Sequence, residues 1–94
     1  MILEKVFESL KLQDRQLTKK RFCSEYLGKC ESYLYVMKHR NKEISNDALV
    51  RCYVGLKKTA DTLYENGFVD SYNSNKRLAD MVLEKIETKV VEEL

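Results

Sequence analysis

Proline is absent from the 94-residue chain, tryptophan is absent too, glycine occurs three times and histidine once. Without proline, no position forces a helix to stop for want of a backbone donor. Three glycines are too few for the turn punctuation of a β-rich fold. The single histidine, His39, removes the commonest metal ligand and the commonest general base from most catalytic schemes. Cysteines 23, 30 and 52 are odd in number and lack short paired spacings, so neither a disulfide framework nor a zinc site is indicated. No window comes near the roughly 18 uncharged apolar residues needed to cross a bilayer. Glu4 and Lys5 stand where a signal peptide would need its apolar run, and a cytoplasmic protein is expected. A glycine-rich phosphate loop, an HExxH pair and a CxxC pair are all missing. Cys30 and His39 lie nine residues apart around a short helix, which turns their side chains in different directions. No enzyme is expected, with no catalytic residue, cofactor, metal or small-molecule substrate.

What is present fits one globular domain. Apolar residues make up 44% and charged residues 34%, too apolar for a disordered chain and enough for one modest core. The net charge of +2 hides an uneven distribution. Residues 1–60 carry thirteen basic against seven acidic side chains, and residues 61–94 carry four against eight. Nine of the basic residues fall within 11–42, against three acidic ones. A compact basic stretch beside an acidic remainder is the footprint of a protein that meets phosphate on one face.

The apolar spacing is helical throughout. Ile2, Leu3, Val6, Phe7 and Leu10 predict a first helix over 2–12. Thr18 is placed to cap a second helix from Lys19, carried by Phe22, Cys23, Tyr26 and Leu27 and stopped at Gly28. Residues 31–39 predict a third, short helix with Leu34 and Met37 inward, followed by a polar loop over 40–43. Ser45 or Asn46 caps a fourth, whose stripe of Leu49, Cys52, Tyr53, Leu56, Ala60 and Leu63 ends at Asn66-Gly67. The segment Asp70–Asn75 reads as a turn, and a last helix is expected from about Lys76 to Leu94. The expected fold is therefore all-α, about five helices, with Leu34, Met37, Leu49, Tyr53 and Leu56 in one core.

Residues 17–42, LTKKRFCSEYLGKCESYLYVMKHRNK, follow the order helix, glycine-led turn, short helix that defines a helix-turn-helix, spanning Leu17 to Asn41. The first helix braces the second through Phe22, Cys23 and Leu27 against Leu34 and Met37. The second is then free to offer an outer face of Glu31, Ser32, Tyr33, Tyr35, Val36, Lys38 and His39 to base edges. Lys19, Lys20, Arg21, Lys29, Lys38, Arg40 and Lys42 flank that face, where phosphate contacts would fix orientation. Double-stranded DNA is the expected partner.

From residue 17 to about 60 the chain resembles the lambda-repressor-like (Xre/Cro-class) helix-turn-helix proteins. The stretch YLGKCESYLYVMKHRNKEISNDAL resembles the corresponding stretch of a group of small bacterial and phage proteins, in which a glycine-led turn is followed by an SYxxxxK-type helix and a basic loop. The resemblance implies a small capping residue two positions after the turn glycine, here Cys30. It implies base-reading roles at Glu31, Ser32 and Val36, with Tyr33 and Tyr35 close by, and backbone contacts at Lys19 and Lys20. Two departures bear on docking: Phe22 stands six residues before Gly28, one more than usual, and Arg40 stands where the class often has glycine.

One short helix rarely reads DNA specifically, so a homodimer on two half-sites is expected. The chain divides into a helix-turn-helix domain over 1–66 and a C-terminal helix over 67–94 as dimerisation element. Leu78, Met81, Val82, Ile86, Val90 and Leu94 lie near one side of that helix, widened by Ala79, Leu83 and Val91. The sequence-specific reading is thus a small transcriptional regulator. The alternative is an adaptor, antitoxin or inhibitor that uses the helical scaffold to hold a protein.

Overall fold

The computed structural model describes residues 2–40 and 43–93. Within them are five helices, α1 (Ile2–Gln13), α2 (Lys19–Glu25), α3 (Tyr33–His39), α4 (Asn46–Glu65) and α5 (Val69–Glu93), and no strand. The fold is all-α. No helix among the described residues is long and apolar enough to cross a membrane.

Each helix enters the core by its periodic face. Leu3, Val6, Phe7 and Leu10 of α1 are buried. So are Phe22 and Cys23 of α2, and Ala48, Leu49, Cys52, Leu56 and Ala60 of α4. Burying a large aliphatic or aromatic side chain contributes about 1.5–3 kcal/mol, so a few such contacts per helix hold segments too short to be stable alone. Leu34, Leu49 and Leu56 belong to this one core, and Met37 and Tyr53 pack against it half-buried.

The helix ends are set locally. The Thr18 hydroxyl accepts the Arg21 N–H at 3.2 Å and starts α2. The Ser45 hydroxyl accepts the Ala48 N–H at 3.2 Å and starts α4. At the far end of α4, Gly67 takes φ +81°, while the Phe68 N–H reaches the Leu63 carbonyl and the Gly67 N–H reaches that of Tyr64. This pair of bonds is the Schellman motif, and it reverses the chain within two residues.

That reversal leaves no room for the turn expected over Asp70–Asn75. The segment is helical, and α5 begins at Val69. Asn75 supplies the reason: it is fully buried and occupies the same stripe as Leu78, Ala79 and Val82, so the inward face of α5 opens with a polar residue. Tyr72 adds a second anchor, its ring 5.1 Å from that of Tyr64 on α4. From there α5 packs along α4 more extensively than any other pair of helices. Leu78, Ala79 and Val82 complete the core begun by α1–α4, and Ile86 packs against it. Met81, Val90 and Val91 remain exposed; Leu94 lies outside the described residues.

Two polar groups are sealed into this interior. Neither polar side-chain atom of Asn75 has a hydrogen-bond partner among the described residues. Lys89 is buried, and its ammonium donates to the Ile44 carbonyl, tying α5 to the segment between α3 and α4.

Candidate nucleic-acid interface

The segment joining α2 to α3 is built around Gly28, whose φ of +63° lies in the left-handed region. A side chain there would carry strain, and its Cβ would lie 2.8 Å from the Arg51 side chain. The Lys29 N–H returns to the Cys23 carbonyl at 2.9 Å, and the Tyr33 N–H to that of Cys30 at 3.1 Å. The second bond makes residues 30–33 a turn. α3 therefore opens at Tyr33, two residues later than the spacing predicts, with Glu31 and Ser32 in the approach to it.

Tyr33 does not belong to the outer face. It is 8% exposed, and its hydroxyl accepts the Ser45 N–H at 3.3 Å. A phenol can be buried when its oxygen finds such a partner, and the helical period then puts Tyr33, Leu34 and Met37 on the inward side together. What remains outward is the stripe Ser32, Tyr35, Val36 and His39, at spacings of three, one and three residues. Ser32, Tyr35 and His39 are exposed and Val36 is partly so. The Tyr35 and His39 rings pack at a tilt of 39° with centroids 4.0 Å apart, a one-turn pairing that holds the two side chains together.

Several of the basic residues near this stripe are paired with carboxylates. Lys20 is bound to Glu31 at 3.1 Å, Arg21 to Glu25 at 3.2 Å, Lys29 to Asp47 at 3.2 Å and Lys38 to Glu4 at 3.7 Å. Lys19 and Arg40 are exposed and have no ion pair among the described residues. Lys42 lies outside the described residues. The pairing tempers the local charge. Asp47 is held below its ordinary carboxylate range by the hydrogen bonds from Lys29 and then Arg51, and Glu25 raises Arg21 chiefly through its hydrogen bond. Exposed pairs of this sort contribute about 0–1 kcal/mol each, so a phosphate can displace a carboxylate at small cost.

Some contributors had no role in the sequence reading. Asp47 and Arg51, one turn apart at the start of α4 and 3.2 Å from each other, border the Gly28 turn; the spacing of four was the only signal for them. Glu4, from α1, meets Lys38 across the fold, and no local pattern announces it. Cys30, expected as the capping residue, does not cap α3, whose N-cap is Ser32; it is exposed, with its sulfur 3.6 Å from the Ser32 hydroxyl. That bond lowers the thiol below its ordinary range, helped by the Ser32 backbone.

Fold and surface together define a small all-α domain that presents one short helix, braced from behind, amid paired basic side chains. The chain belongs to the family of unknown function DUF6626, whose family model matches residues 3–94. No curated protein and no solved structure matches it.

Proposed function

We propose that this chain binds double-stranded DNA in the cytoplasm, as a small transcriptional regulator working as a homodimer, by binding and not by catalysis. The observation that carries the reading is the outward stripe Ser32, Tyr35, Val36 and His39. It offers hydroxyl, ring-nitrogen and methyl groups to base edges while the other side of α3 holds the helix in place. Lys19 and Lys20 at the start of α2 and Arg40 at the end of α3 bracket the stripe, where phosphates would lie. The resemblance of residues 17–60 to the lambda-repressor-like class points the same way.

The test is selection of duplexes from a random pool, followed by binding of variants to a selected and a scrambled site. Replacing Lys20 or Arg40 weakens both complexes alike and makes the salt dependence shallower by about 0.9 per lost phosphate contact. Replacing Ser32 or Tyr35 instead narrows the preference for the selected site, by roughly 1–3 kcal/mol per good base contact. If Ser32 and Tyr35 variants keep both affinity and preference, α3 is not the reader. A second reading, a protein-holding adaptor, antitoxin or inhibitor, is favoured by Tyr64, Phe68 and Val69, all more than half exposed at the α4–α5 turn. An apolar interface of that kind would respond little to salt.

A further inference from the structure

We infer that the flank shared by α1 and α5 receives a second copy of this chain, with the two α5 helices crossing antiparallel at Met81. The inference rests on the homodimer part of the reading above and is independent of DNA. Between α1 and α5 lie two shallow grooves. One, of about 260 Å³, reaches from Ile2 to Thr88; the other, of about 360 Å³, reaches from Leu12 to Ser74. Met81 lines both, so they form one furrow along residues 74–88 of α5, about 21 Å long at the helical rise of roughly 1.5 Å per residue. Two of its apolar members face water, Leu12 at 85% exposed and Met81 at 40%, as does Val91 one turn beyond it at 69%, while Leu78 is buried and Ile2 half-buried.

The charges select the occupant. Ser74, Arg77, Met81, Glu84 and Thr88 recur at alternating spacings of three and four, a single seam along α5. A parallel copy would set Arg77 against Arg77 and Glu84 against Glu84. An antiparallel copy centred on Met81 brings Arg77 to within one residue's rise, about 1.5 Å, of the level of Glu84 of the other molecule on the same side of the seam, twice by symmetry, with Ser74 level with Thr88. A two-fold interface needs such a self-complementary patch, whereas a partner of one charge sign satisfies Arg77 or Glu84 and repels the other. Lys85 falls level with Arg77 of the other molecule but on the opposite side of the seam, exposed, where its long stem lets the ammonium stay in water.

Analytical ultracentrifugation without DNA tests the arrangement. Arg77→Glu and Glu84→Arg each break both symmetric pairs and place like charges together. Each is expected to raise the dimer dissociation constant by about tenfold or more, while the double variant, which keeps the mirrored pairing, returns to within about threefold of the parent. A parent that stays monomeric, single variants that dimerise as well as the parent, or a double variant no better than the singles would each overturn it. A bis-maleimide reagent gives a second readout, with Cys30→Ser removing the exposed thiol and Met81→Cys placing one at the axis. A covalent dimer is expected, and none from Lys57→Cys on α4 in the same background. Dimers that resist linking through position 81 would also refute the register. Circular dichroism matching the parent shows that the variants fold. Dimerisation that survives in a protein unable to bind DNA would overturn the regulator and leave this interface standing.

Discussion

Glu31→Gln separates a screening carboxylate from a base-reading one. Glu31 lies 3.1 Å from Lys20, and the two side chains are 61% and 74% exposed. An exposed pair like this contributes about 0.2–1 kcal/mol to the fold, so the variant, which keeps the side chain's size, should unfold within a few degrees of the parent. On DNA two effects act together. A carboxylate about 4 Å from a phosphate costs about 1 kcal/mol in water before screening, and salt at about 0.15 M reduces that over a Debye length of about 8 Å. Removing it also releases Lys20, which adds up to about 0.9 to the slope of log affinity against log salt. Fluorescence anisotropy on a selected and a scrambled duplex should therefore show about two- to fivefold tighter binding to both at low salt. The gain should fade as salt rises, and Lys20→Ala in the same chain should cancel it. Weaker binding to the selected duplex alone would mean that Glu31 accepts a base amino group, and the screening account would be wrong.

Three further outcomes are expected. Gly28→Ala forces a side chain into φ +63° and toward Arg51 at 2.8 Å, so urea unfolding should show a loss of about 1–2 kcal/mol, with Gly28→Asn milder. Asn75→Leu removes two buried polar atoms that have no partner among the described residues and should raise stability by about 1–3 kcal/mol in thermal unfolding; a destabilised variant would mean the amide has a partner after all. Iodoacetamide at pH 8 should modify Cys30 first, because its thiol is exposed and lowered. Cys52, pushed up to about 12 by burial, should react only after denaturant opens the core, and mass spectrometry of the digested protein reads the order.

Periodicity made most of this fold legible. The stripes of α1 and α4 needed only their spacing, and Thr18, Ser45 and Gly28 marked helix ends by local chemistry that acts the same way in any fold. α5 was harder because its inward face opens with Asn75, which hides the period until Leu78. The polar run from Asp70 to Asn75 then resembles a turn, although Gly67 has already made one. The inward placement of Tyr33 is hidden from the sequence for a related reason. Its ring suits either side of a helix, and the choice depends on the Ser45 N–H twelve residues away, a contact no window of sequence reveals. The basic residues around α3 were visible as charges, but their carboxylate partners on α1 and α4 were not, since those pairings arise only once the helices pack.

The buried ammonium of Lys89 has a consequence for target geometry. It stands eight residues from Met81, so in a pair crossed at Met81 the two Ile44 anchors sit about 24 Å apart along the helices. Each anchor follows the end of its α3 by five residues, so the spine of such a pair would act as a caliper whose jaws are held by the Lys89 bond together with the core contacts of Tyr33 and Leu34. A caliper of this kind tolerates little play. If the pair binds DNA as proposed, its two α3 helices would read half-sites at one fixed spacing, and inserting half a turn of duplex would carry one half-site to the far side of the double helix. Lys89→Met would loosen the jaws, letting the protein accept several spacings at the expense of preferring any.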